Sequence, residues 1–324
     1  MSKPFISKNN QFNENPKEGE IFKFSFLTPK YWFTWIFLGL SFIVAYSPFF
    51  IRRFLGHMVG TLLYKFNNQK KKIIEINLSL SFRSMSNKEV DVITRKFFKN
   101  LGHMYMNLPV LWWKSNENLQ KNIKKHNLKA IDNILSDNRS VILLAPHTLS
   151  LDYGGRALSE YNLLSMYKPF KNNLLNWFVG KSRSKDTDKV IVYPRDKTSI
   201  KKIIRKMKKP CVLYFLADED ISPDNSIFSN FFDTNKTALK SVSKLAKITN
   251  AKVLPCTCHF DINSNTYMFN VMEELENFPS DNIEQDCKKI NNILEKQILI
   301  DKAQYMWTLR IYKHREDGSD IYKL

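Results

Sequence analysis

Five short apolar runs punctuate the chain: VILLAP (141–146), LLSMYK (163–168), KVIVYP (189–194), CVLYFLA (211–217) and KVLPCTC (252–258). Polar stretches of helical spacing, SIKKIIRKMKK (199–209) and TALKSVSKLAKIT (237–249), fall between several of them. Near-continuous apolar runs of this length read as strands buried on both faces, and the helices between them as crossovers. The expected fold class is α/β, with one domain over residues 55–324 built on a largely parallel central sheet flanked by helices. Upstream of Ser140 the texture is helical. In residues 88–108, Val92, Phe97 or Phe98, Leu101 and Tyr105 recur at helical spacing, and Ser86 followed by Glu89 predicts a capping box.

A second feature is of another kind. Residues 31–51, YWFTWIFLGLSFIVAYSPFFI, contain no charged side chain. As one helix they would span roughly 30 Å, the thickness of a bilayer core. Tyr31, Trp32 and Trp35 cluster at one end as interfacial aromatics do, and Arg52 and Arg53 stop the run at the other. The expectation is a transmembrane or membrane-anchoring helix over 31–51, with Pro48 able to kink or end it, behind an N-terminal cytoplasmic segment over 1–30. The denser positive cluster, Arg52, Arg53, Lys65 and Lys70 to Lys72, follows the run, which would place the bulk of the chain on the cytoplasmic side of the membrane.

Charge narrows the partners. Fifty Lys and Arg against 31 Asp and Glu give a formal charge of +19, which favours anionic partners: phosphorylated lipids, an acidic protein or nucleic acid. A chain rich in Lys, Asn and Ile can also owe part of that excess to compositional drift. Basic residues interleaved with exposed aromatics, as nucleic-acid binding would need, are not evident, so no nucleic-acid partner is expected. With nine glycines in all, neither a Walker loop nor a dinucleotide fingerprint is available, and no cofactor is expected. Cys211, Cys256, Cys258 and Cys287 are too few and scattered for a disulfide framework. Cys256 and Cys258 read as alternate residues of a buried strand rather than metal ligands, and no metal is expected.

His147 follows VILLAP, at the carboxyl end of an expected strand, where ligands collect in open α/β sheets. A lone histidine there can be a core residue held by the backbone. Asp152, five residues on, offers another reading: across a loop-to-helix junction its carboxylate could accept the Nδ1 proton and leave Nε2 free as a general base. On one regular helix the two would not share a face. Such a pair without a resident nucleophile suits proton removal from a substrate hydroxyl.

HTLSLD (147–152) is similar to the H-x4-D/E signature of glycerolipid-type acyltransferases. The chain as a whole resembles the late acyltransferases of lipid A biosynthesis, through TPKYWFTW (28–35), INLSLSF (76–82), YKPFKN (167–172), GKSR (180–183), PRD (194–196), DEDISPDNSIFSNFF (218–232), TAL (237–239) and QYMWTLRIYKHR (304–315). H-x4-D alone is promiscuous; its combination with D-x-D and the terminal Q-Y-x-W-x-x-R-x-x-K-x-R run is specific.

That resemblance implies an acyl carrier protein as donor of a lauroyl- or myristoyl-class chain and a 3-hydroxyacyl chain on a Kdo-bearing lipid A precursor as acceptor, with membrane lipids as further partners. It implies His147 as the base with Asp152 as its orienting partner, and Arg183 at the developing oxyanion or on a phosphate. Lys168, Arg195 and Arg310, with Lys313 and Arg315, would add positive charge for phosphates, carboxylates or the acidic carrier. Asp218 and Asp220 match the family's paired acids and are expected to organise the site through hydrogen bonds to basic residues. The chain departs from the usual Y-R-P at Tyr167-Lys168-Pro169, where lysine cannot reproduce arginine's bidentate geometry, and from P-D-x-D at Ala217-Asp218-Glu219-Asp220. Two readings remain beside it: an acyltransferase of the same signature acting on a lysophospholipid or other glycolipid, and a non-catalytic, membrane-tethered anion-binding protein.

Overall fold

The computed structural model describes residues 21–220 and 225–323. Two 3₁₀ turns, Phe24–Leu27 and Pro29–Tyr31, lead into four helices: α1 (Trp32–Tyr46), α2 (Phe49–Phe66), α3 (Asn68–Ser81) and the long α4 (Asn87–Trp113). There follow α5 (Asn116–Gln120), β1 (Ile123–His126), α6 (Lys129–Ser136), β2 (Val141–Ala145), α7 (Leu151–Ala157) and β3 (Leu163–Tyr167). Next come α8 (Asn173–Arg183), β4 (Val190–Pro194), α9 (Lys197–Lys206) and β5 (Val212–Leu216). The chain closes through β6 (Ser226–Phe231), β7 (Thr234–Leu239), α10 (Ser241–Thr249), β8 (Lys252–Asp261), β9 (Thr266–Val271) and α11 (Ile283–Ile300).

All five apolar runs are strands of one seven-stranded sheet, ordered β1-β9-β8-β2-β5-β3-β4. Its pairs are parallel except β8 with β9. The physical reason is visible along β2, where alternate side chains leave opposite faces of the pleat. Ile142 and Leu144 enter a core shared with α3, α4, α9, α10 and α11, while Val141, Leu143 and Ala145 enter a second core with α6 and α7. Both faces are covered, so the strand needs apolar residues at every position. Cys256 and Cys258 fill the second core from β8, as their alternation suggests. TAL (237–239), expected to open a helix, instead ends β7, which pairs with β6 in a separate antiparallel hairpin. The Ser86–Glu89 capping box is formed at the start of α4.

The anchoring helix expected over residues 31–51 is not there, and this corrects the N-terminal part of the fold assignment. Among the described residues no helix is long and apolar enough to cross a membrane. The uncharged run is broken by Ser47-Pro48: proline disfavours helical backbone in the residue before it, and Ser47 is extended (φ −67°, ψ 150°). α1 therefore stops after 15 residues, about 22 Å. Arg52, expected to stop a span, is buried instead, its guanidinium bonded to the Ser47 carbonyl and the Asn107 side chain of α4. Of the expected segment over 1–30, residues 1–20 lie outside the described residues.

α2 crosses α4 at van der Waals distance between backbones, and glycine makes this possible. A Cβ at Gly102 would lie 2.1 Å from the Gly56 carbonyl oxygen and 2.5 Å from the Gly60 nitrogen, neither of which can rotate away. Gly102→Ala should force the helices apart and cost about 1–3 kcal/mol of stability. Equilibrium denaturant unfolding of the variant against the parent checks this, and an unchanged midpoint would show that the crossing is looser than described.

Candidate active site

The parallel register of β2 and β5 builds the site. Ala145 is paired with Leu216 at the carboxyl ends of the two strands. Two residues beyond each, His147 and Asp218 emerge side by side. The Asp218 carboxylate takes both of the histidine's nearby donors: one oxygen accepts the His147 backbone N–H at 2.9 Å and the other lies 2.5 Å from Nδ1. The expectation that Asp152 fills this place is corrected by that geometry. Asp152 sits in the first turn of α7 and its Oδ1 accepts from Arg183 Nη2 at 3.3 Å.

The rest of the loop is held by the C-terminal run. Met306 N donates to the His147 carbonyl at 2.8 Å, Leu149 N donates to the Gln304 carbonyl at 2.8 Å, and Thr148 bridges Tyr305. The Gln304 side chain donates to the Phe260 carbonyl and accepts from the Phe260 N–H. QYMW thus clamps the histidine loop onto β8, and the conjunction of sequence motifs has a mechanical cause.

Glu219, not among the residues expected at the site, faces the other side of the imidazole, 3.4 Å from Nε2. Its second oxygen is paired with Arg195, which follows β4. Asp220 repeats the Asp218 arrangement on His314, with 2.6 Å contacts to the backbone N–H and to Nδ1. Beneath them lies a fully buried lysine, Lys236 on β7, whose Nζ donates to the Asp218 carbonyl at 3.0 Å and sits 4.8 Å from the Phe231 ring centre. Burial brings its ammonium down to about 8, and the charges of Asp218 and Asp220 oppose a further fall. Nothing in the sequence distinguishes Lys236 or His314 from surface residues, because their positions depend on where the β6–β7 hairpin and the C-terminus fold back.

The remaining expected residues fall into two groups. Arg183 joins Asp152 and lies 5.3 Å over the Tyr167 ring centre, at an apolar slot lined by Leu111, Leu163, Val190, Val192, Tyr214 and Leu216. Lys168 and Arg310 are exposed: Arg310 stands over the Tyr322 ring, and Lys168 makes no ion pair or side-chain hydrogen bond among the described residues.

Burial by itself would lower the His147 pKa, but the Asp218 charge, its hydrogen bond and the Glu219 charge more than offset this and hold it above its ordinary value. Asp218 is depressed against its own desolvation by the same partner. This is an imidazole of fixed orientation, with Nδ1 engaged by Asp218 and Nε2 facing Glu219, which Arg195 pairs in turn. An imidazole held in this way has the chemistry of a general acid or base.

Residues 20–314 match the family described as Bacterial lipid A biosynthesis acyltransferase, and the chain belongs to that family. It is similar to a lipid A biosynthesis acyltransferase of Haemophilus influenzae, 26% identical over 93% of this chain and 94% of the relative. It is also similar to a lipid A biosynthesis palmitoleoyltransferase of Escherichia coli, at 27% over 93% of this chain and 98% of the relative. A lipid A biosynthesis lauroyltransferase of the same organism is 25% identical over 92% of this chain and 96% of the relative. The protein is an acyltransferase of lipid A biosynthesis.

If His147 must lose a proton to act, kcat/KM should rise with pH along a limb whose midpoint lies above about 6.5, the ordinary imidazole value. Asp218→Asn removes the charge that favours the imidazolium, so the limb should move to lower pH while the plateau falls. Asp152→Asn should leave the limb in place. A limb that moves with Asp152 and ignores Asp218 would contradict the assignment.

Proposed function

We propose that the protein transfers a fatty acyl chain from acyl carrier protein to the 3-hydroxyl of an acyl chain on a Kdo-bearing lipid A precursor, with His147 as general base. The observation that carries this reading is the His147 imidazole locked by Asp218 at the carboxyl end of β2 and β5, on a sheet whose Leu216, two residues before Asp218, lines an apolar slot with Asp152 and Arg183. In its neutral form Nε2 takes the acceptor hydroxyl's proton as that oxygen attacks the thioester carbonyl carbon. Negative charge then develops on the carbonyl oxygen, where Arg183, aimed by Asp152 and stacked on Tyr167, offers stabilisation. Collapse breaks the carbon–sulfur bond, and the departing thiolate recovers the proton from the imidazolium. No acyl-enzyme is needed. Lys168, Arg195 and Arg310 supply positive charge toward phosphates and carboxylates of the acceptor or the carrier.

The acceptor is lipid-borne, and a surface suited to it adjoins the site. Large apolar side chains of α1 and α2, among them Phe33, Ile36, Ile43, Phe50 and Phe54, are exposed. α1 is tied to the helix that carries Arg183 through Asn172 Nδ2 donating to Thr34 Oγ1 at 2.7 Å. This face is read as lying along the cytoplasmic surface of the inner membrane, in its plane rather than across it.

Two experiments test the reading. His147→Ala should lower the transfer rate by about 10²–10⁴ without loss of fold. Mass spectrometry of lipid A from cells relying on that variant should show one secondary acyl chain missing; unchanged lipid A would refute the assignment. The slot supplies the second. Gly155 lies on its wall, and a Cβ there meets nothing within 4 Å, so Gly155→Leu projects into empty space. The variant should prefer donors shorter than the wild type does, measured as kcat/KM across a series of acyl chain lengths. An unaltered preference would move the chain-binding site elsewhere.

A further inference from the structure

α9 carries five basic residues, Lys197, Lys201, Lys202, Arg205 and Lys206, and no acidic one. Its buried side is Ser199 and Ile203, followed by Met207. The opposite side presents Lys197, Lys201 and Arg205, extended by Lys208, at helical spacing and exposed. None of these four makes an ion pair among the described residues. Asp196, the nearest acid in sequence, is engaged as the N-cap and accepts the Ser199 N–H at 2.7 Å. Between the basic residues stand Ile200, 40% exposed, and the partly exposed Ile204. The neighbouring α10 adds Lys244 and Ile248, the latter 64% exposed.

We infer that the α9 face, extended by α10, is the docking surface for the acidic carrier protein that delivers the acyl thioester. The inference rests on the carrier being the donor. Two observations favour a protein with an acidic helix over a lipid surface. First, the face combines like charge with isolated isoleucines and carries no aromatic residue, whereas membrane interfaces recruit Trp and Tyr, which this chain places on α1. Second, α9 begins at the site: Arg195, two residues before the helix, pairs with the Glu219 that faces His147. A helix of 10 residues is about 15 Å long, so the far end of the face lies about one helix length beyond the turn that carries Arg195.

The test uses the full-length enzyme with two donors of the same lauroyl thioester, one on acyl carrier protein and one on free pantetheine, which has no acidic protein surface. Lys201→Glu combined with Arg205→Glu should raise KM for the carrier-borne donor about tenfold at low salt. It should leave kcat and the KM for lauroyl-pantetheine within twofold of wild type. The wild-type KM for the carrier should climb with ionic strength, since exposed charges are screened over about 10 Å at 0.1 M salt. An unchanged KM for the carrier in the variant overturns the inference, and reduced binding to anionic phosphatidylglycerol vesicles with that unchanged KM would reassign the face to lipid. A loss for both donors alike would mean that the substitutions damage the fold or the site, and would equally overturn a docking role for this face. Failure of the underlying reading gives a different signal: wild-type enzyme would use the two donors with equal kcat/KM.

Discussion

The contact between Asp218 and His147 is the interaction on which the site depends, and it is set by strand register rather than by any local motif. β2 and β5 run parallel and in step, so the residues two beyond their last pair must lie together. A fully buried carboxylate is costly unless satisfied. Here both oxygens accept, from the backbone N–H and the imidazole, and Lys236 supplies a buried positive charge below. The same bonds that stabilise Asp218 fix the tautomer and raise the proton affinity of His147. Structure and chemistry are one interaction.

Other elements hold that contact in place. QYMW ties the histidine loop to β8, and Asn77 of α3 donates to the Trp307 and Leu309 carbonyls at 2.7 Å, so the N-terminal helices brace the C-terminal run. α2, in turn, is pinned to α4 by the glycine crossing and by buried Arg52. Helices that would be expected to leave the globule for a bilayer are instead part of its packing, while their outer side chains stay apolar and exposed.

The sheet was legible because each of its central strands is buried on both faces and so announces itself as an unbroken apolar run. β1 and the β6–β7 hairpin were not, since Ile123–His126 contributes a single buried residue and the hairpin mixes polar and apolar positions. His147 could be found from its place at a strand end. Its partner could not, because local spacing offers Asp152 at five residues while register delivers Asp218 from 71 residues away. Asp152 keeps a different place, joined to Arg183. The uncharged run over 31–51 misled for a comparable reason. Hydropathy averages over Ser47-Pro48, and these two extended residues split the span into two helices, the second carrying charge.

The pairing itself can be observed without turnover. Nitrogen-15 and proton NMR of the histidine side chains, assigned by His147→Gln, reports the hydrogen-bonded Nδ1–H directly. A downfield imidazole proton that persists in Asp152→Asn and disappears or shifts strongly upfield in Asp218→Asn is expected. The reverse pattern, with the resonance following Asp152, would show that the short-range pair holds the histidine and that the register-built contact does not.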